Sequence, residues 1–173
     1  MKPKTVGRHG GSNAAQSPKD PSPQDVVGLN ADSIILTLDG EKPVSDLCVG
    51  DRVITRDSGM ARITSVSSRK VTSRAIRILA GSLGHTRPDR DVILPAGQPI
   101  LIRDWRAGAL FNASQAMVPV SQLIDGEFIT EMGEQEMTLY ALSFARPHVL
   151  YVDGLEVASG GQAAKRANEK AAA

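Results

Sequence analysis

Cysteine is nearly absent from this sequence. Cys48 stands alone, so no internal disulfide framework can form, and the three histidines, His9, His85 and His148, are too scattered to show metal-ligand spacing. No cofactor or metal is expected on these grounds. Long apolar runs are also missing: nothing approaches the roughly 18 to 20 continuous apolar residues of a membrane helix. The N-terminus lacks the apolar core of a secretory signal, which makes a cytoplasmic location the default expectation. A surplus of either charge is lacking too, with 20 Lys and Arg against 19 Asp and Glu. That balance offers no electrostatic case for nucleic acid or an anionic membrane as partner.

What is present divides into a middle and two tails. Residues 1–27 are rich in Pro, Ser, Gly, Asn, Gln and Lys and offer too little apolar surface to offset the entropy of ordering, which predicts a disordered N-terminal tail. Residues 160–173, after Gly160-Gly161, have no apolar stripe with which to dock and are expected to be disordered or a frayed helix. Each tail carries +2, which leaves −3 of the chain's net +1 for residues 28–159, the ordinary mixed surface of one domain. A monomer is expected.

Short Val/Ile/Leu-rich runs fill that middle, punctuated by turn residues: SIILTL before Asp39-Gly40, RVITR before Asp57-Ser58-Gly59, then ARITSV, RAIRILA, DVIL and PILIR. FITEM, EMTLYALSFA and HVLYVDG follow. The spacing predicts a mostly β fold. SIILTL, continuously apolar, is expected to lie wholly inside, and Asp39-Gly40 predicts a tight turn joining the first strands. PVSDL and VPVSQLI have one shape, each a single helical turn that carries a leucine inward (Leu47, Leu123) and starts with a serine able to cap free N–H groups. The pair hints at an internal duplication.

The string from Leu38 through Asp39-Gly40, Val44, Leu47 and Val49-Gly50-Asp51 to Asp57 resembles the opening of bacterial Hedgehog/intein (Hint) domains. A second block is matched by Ile76–Gly84, Pro88–Leu94 and Ile100-Leu101-Ile102. A third falls at Met117-Val118-Pro119-Val120 with Leu123–Gly126, and a fourth at Leu139–Phe144 with His148–Glu156. Four blocks in the family's order span about residues 28–159. The resemblance implies a pseudo-two-fold β horseshoe and, as activity, self-cleavage or protein splicing.

It also implies a constellation that this sequence does not keep. Active members begin with Cys or Ser, whose side chain attacks the preceding carbonyl in an N-to-S/O acyl shift. The matching position is Gly28, which offers no nucleophile. The family's T/S-x-x-H block falls on Pro95-Ala96-Gly97-Gln98, with proline for the oxygen donor and a non-titrating glutamine for the histidine. A later histidine position reads Ala141, and His148 is displaced by one from the family's next histidine. The His-Asn ending of full splicing is missing, since Asn168 lies in the polar tail. A catalytically degenerate module that acts by binding a protein partner or as a scaffold is the expected outcome. The competing expectation is an active domain with an unusual nucleophile.

For that second expectation Ser33 and Cys48 are the candidates, with Asn30 a poor one and His148 the nearest imidazole in sequence. Cys48 is expected to be a small half-buried thiol rather than a nucleophile. Ala80–Gly84 has only the outline of a nucleophile elbow and is expected to be a turn; His85 beside Pro88, Asp89, Arg90 and Asp91 is expected in a solvated loop. All six aromatics lie between Trp105 and Tyr151. Trp105 and Phe111 are expected in the core, with a partner surface as the alternative.

Overall fold

Apolar runs of four or five residues, broken by Gly, Asp and Pro, can satisfy their backbone groups only by pairing with one another. In the computed structural model, which describes residues 26–160, they do so as twelve strands. The tail expectations for residues 1–25 and 161–173, and Asn168 with them, lie outside the described residues. In chain order the strands are β1 Leu29–Asn30, β2 Ile34–Thr37, β3 Gly40–Pro43, β4 Arg52–Thr55, β5 Gly59–Arg62 and β6 Ser65–Ile78. They continue with β7 Val92–Pro95, β8 Pro99–Ile102, β9 Ala116–Pro119, β10 Ile129–Ser143, β11 Val149–Val152 and β12 Leu155–Ala158. One α-helix, α1 Trp105–Phe111, lies between β8 and β9, and single 3₁₀ turns occupy Val44–Asp46 and Val120–Leu123.

The strands form two sheets, ordered β1-β10-β6-β7 and β3-β2-β4-β11-β12-β8-β9, with β5 on β4. β2 and β3 meet at the predicted Asp39-Gly40 turn, where Gly40 takes φ +103° and Thr37 Oγ1 donates to the Gly40 carbonyl at 2.6 Å. β6 and β10 are long because ARITSV divides at Ile63-Thr64, its second half running on into RAIRI, while FITEM and EMTLYALS fuse across a bulge at Gly133. The main core joins the sheets through Ile35, Val53, Ile76, Leu94, Ile100 and Leu150. Each such burial is worth about 1.5–3 kcal/mol.

The duplication hinted at by PVSDL and PVSQL is visible in the backbone. The Val44 and Ser45 N–H groups donate to the carbonyls of Ser33 and Ala31 at 2.8 and 3.2 Å; those of Val120 and Ser121 donate to Gln98 and Ala96 at 3.0 and 3.1 Å. The first sheet is arranged to match: β1 from the first half pairs with β10, and β7 from the second half pairs with β6. Ser33 and Gln98 are therefore pseudo-two-fold mates.

Three expectations are corrected here. The serines of the two PVS turns cap nothing: Pro43 and Pro119 stand at the N-cap positions without a side-chain hydrogen bond, because carbonyls of the turns before β2 and β8 already take the first N–H groups. SIILTL is not wholly inside; Ile35 and Thr37 point inward, Ile34 and Leu36 are half-buried and Leu38 is exposed, as strand alternation dictates when only one face is fully covered. Val26, placed in the tail by sequence, is buried against Ala75, Met137 and Leu139, where its apolar side chain finds a satellite core.

Candidate functional site

The first residues of β1 and the turn before β8 are distant in sequence and adjacent in space. The Gly28 N–H donates to Gln98 Oε1 at 2.9 Å. The Gln98 amide uses its other end on the Ala158 carbonyl at 3.0 Å and the Pro99 carbonyl at 3.2 Å, so this buried side chain ties the start of the domain to β8 and β12. Gln98 sits where it does because Pro95 to Gln98 forms a tight turn, the Gln98 N–H donating to the Pro95 carbonyl at 2.9 Å, with Ala96 anchored to Arg74. Pro95 presents a buried ring there, not a hydroxyl.

Gly28 itself is closely confined. Its φ is +147°, and a Cβ built on it would stand 2.8 Å from Leu139 Cβ and 3.2 Å from the Tyr140 carbonyl oxygen. Those neighbours belong to β10, held on one side by β1 and on the other by β6. Two residues further along β10, Ala141 is exposed and pairs with Ser67. Gly28 and Gln98 are thus joined directly, with Pro95 in the same turn as Gln98, and none of the three bears a nucleophilic or titrating group.

A family model for the Hint domain matches residues 27–162. The chain belongs to the Hint-domain family. Solved structures agree on the fold. A bacterial intein-like domain from Clostridium thermocellum is 14% identical with a TM-score of 0.52, covering 77% of this chain and 97% of that one. A gp41-1 intein variant (16% identity, TM-score 0.50) covers 76% and 98%, and an AceL NrdHF class 3 split intein variant (12%, TM-score 0.50) covers 78% and 98%. No curated protein matches.

The buried imidazole among the described residues is engaged elsewhere. His148 is buried at the start of β11, its backbone paired with Ser159, and its Nδ1 lies 2.8 Å from Asp57 Oδ2 and 3.3 Å from Ser58 Oγ. Carboxylate and hydroxyl share one ring nitrogen, so the three do not form a nucleophilic triad, which needs them on opposite nitrogens. Burial pushes the Asp57 carboxyl up, but the Val149 N–H and His148 outweigh it and hold the group below the usual carboxylate range. Phe144 meets the imidazole edge to face at 5.6 Å.

The other candidates are similarly placed away from the Gly28 junction or spent. Cys48 is exposed, not half-buried as expected, because the loop from Cys48 to Asp51 turns its residues outward; Sγ is 3.9 Å from the Asp46 carbonyl. Asn30 is fixed by donating to the Ile93 carbonyl at 2.6 Å. Ser33 is buried beside Asp153, whose carboxyl burial raises despite the Ile34 N–H and Arg90. His85 lies in an exposed loop and Ala80–Gly84 is a turn, as expected. Among the described residues no group of three or more His, Cys, Asp or Glu could share a metal ion, and no helix is long and apolar enough to cross a membrane.

One cluster had no sequence signal. Glu156 is buried beneath three arginines: Arg103 grips it with two bonds of 2.9 Å, while Arg56 and Arg87 approach to 3.5 and 3.4 Å. Trp105, expected in the core with a partner surface as the alternative, is 70% exposed, because α1 buries Arg106 and Ala107 instead, while Phe111 packs half-buried against the core.

Proposed function

We propose that this Hint domain has lost the self-cleavage of its family and acts as a binding or scaffold module. The observation that carries this reading is the confinement of Gly28, which leaves no room for a side chain at the position where an acyl shift needs a thiol or hydroxyl. Gln98 supports it. An imidazolium at that place would donate a proton to the departing amide nitrogen, whereas Gln98 Oε1 accepts a hydrogen bond from that same N–H and keeps the peptide an ordinary amide. Residues that act as one catalytic unit contribute little singly, so losses at Gly28, Pro95, Gln98 and Ala141 together argue against residual activity.

Self-cleavage through Ser33 or Cys48 is the competing reading. Ser33 is buried beside Asp153 with no imidazole bonded to it, and the hydrogen bonds of Cys48 go to Asp46 and Asp51 alone. The deciding measurement is the intact mass of the full chain, followed from purification over a day with and without dithiothreitol or hydroxylamine, which intercept thioesters and esters. The expected result is one species at 18.3 kDa throughout. Fragments that part between Val27 and Gly28 would overturn the reading and make Ser33 the next residue to substitute.

A further inference from the structure

Four large apolar side chains left in solvent converge on one cleft of about 550 Å³: Trp105 and Leu110 from α1, and Ile124 and Phe128 from the segment after the second 3₁₀ turn. Their exposures are 70%, 55%, 37% and 46%. Scattered exposed apolar residues are ordinary on a protein surface, but a convergent group rimmed by charge marks a place where another molecule sits.

The walls are held ready. Arg106, buried between them, donates to Asp104, to the Ser82 carbonyl at 3.0 Å and to Asp125 at 3.5 Å, which ties α1, the 80–84 turn and the 125–128 loop into one frame. Asp125 Oδ1 in turn accepts the N–H groups of Glu127, Phe128 and Ile129 at 2.8–2.9 Å, fixing the loop that presents Phe128. The Arg106 guanidinium lies 5.1 Å from the centre of the Trp105 ring and steadies it. A ligand entering here need not order the walls first.

Charge selects the occupant. The Arg106 charge is spent on Asp104 and Asp125, and neighbouring Arg103 is spent on Glu156. The lining holds Asp125 and Glu127 against Arg106, and Asp104 is paired with Arg106 behind it, which makes a local sum of −2. We propose that this cleft docks a peptide segment of a partner protein in which one or two aromatic or aliphatic anchors are flanked by Lys or Arg. The anchors fill the space between Trp105, Leu110 and Phe128, and the cations meet Asp125, Glu127 and the open part of the Trp105 ring. The proposal gives the binding-module reading a partner chemistry, yet peptide binding and intact mass are measured independently, so either can fail alone.

The test pans a phage-displayed random peptide library on the full chain, with counter-selection on the Phe128→Ser variant. The best peptide is then synthesised and titrated while the emission of Trp105, the only tryptophan, is read. Both substituted side chains, Phe128 and Leu110, are exposed, and circular dichroism checks that Phe128→Ser and Leu110→Ser keep the wild-type fold. Enriched sequences should place Lys or Arg beside apolar anchors, and binding should shift Trp105 emission to the blue. It should weaken about tenfold or more in Phe128→Ser. Glu127→Lys should weaken it too and flatten its salt dependence. Enrichment of acidic peptides, or of none that tells wild type from Phe128→Ser, would overturn the proposal. A concentration-dependent dimer abolished by Leu110→Ser would give the cleft to a second copy. A Trp105 shift without peptide, on changing Lys165, Arg166 and Lys170 to Glu, would give it to the chain's own C-terminal segment; either result overturns the proposal.

Discussion

Adding one methyl group at position 28 should be among the most damaging small substitutions in this domain. In Gly28→Ala the new carbon would stand 2.8 Å from Leu139 Cβ, where carbons normally rest about 3.5–4.0 Å apart. Leu139 Cβ cannot swing aside, because it is fixed to a backbone paired with Asn30 on one side and Arg69 on the other. Overpacking of this kind costs about 1–3 kcal/mol, and a non-glycine residue at φ +147° adds about 1–3 kcal/mol of backbone strain. The stiffer unfolded chain returns about 0.4–1 kcal/mol, which leaves a net loss of about 1–6 kcal/mol, centred near 3 kcal/mol. In a domain of this size that lowers Tm by on the order of 10 °C.

Urea unfolding of wild type, Gly28→Ala, Leu139→Ala and the double variant measures it. Because Leu139→Ala keeps the Cβ that the new methyl group meets, the clash persists in the double variant, whose loss should stay close to the sum of the single ones. A Gly28→Ala protein within about 0.5 kcal/mol of wild type would refute the steric argument, and with it the main support for a closed site. The same reasoning says that Gly28→Cys with Gln98→His restores residue types without restoring self-cleavage.

Gln98→Leu should leave the Gly28 N–H and the Ala158 carbonyl unpaired in the interior and cost about 2–4 kcal/mol in urea, with no change in intact mass. Asp57→Asn should show a pH signature. The Asp57 carboxyl is depressed by the Val149 N–H and His148 against the opposing effect of burial, so its stabilisation is complete above the ordinary carboxylate range and fades as pH falls through the depressed value. The gap in Tm between wild type and Asp57→Asn should therefore be constant near neutrality and narrow from about pH 5 downward; a gap that widens would mean the carboxyl is raised.

Much of the architecture is legible in local pattern. The strands, the Asp39-Gly40 turn and both 3₁₀ turns with their inward leucines follow from short apolar runs, from glycine's freedom at positive φ, and from an order of blocks resembling one family. That Gly28, Pro95, Gln98 and Ala141 carry no nucleophilic or titrating group could likewise be read from residue identity alone. Errors came where a residue's surroundings decide. Cys48 and Trp105 were assigned depth from residue type, but depth is set by which face a loop or a seven-residue helix turns inward.

By itself, then, the amino-acid sequence determined the strand-forming segments, the duplicated PVS turns and the absence of a nucleophile at the domain's start, since each depends on groups a few residues apart. Only the tertiary structure decided that Leu139 closes the space around Gly28, that Gln98 holds the Gly28 amide, that Asp57 claims His148 and that the exposed apolar residues share one cleft. Those contacts join residues tens of positions apart, and whether such residues meet depends on how both sheets pack, which no local pattern encodes.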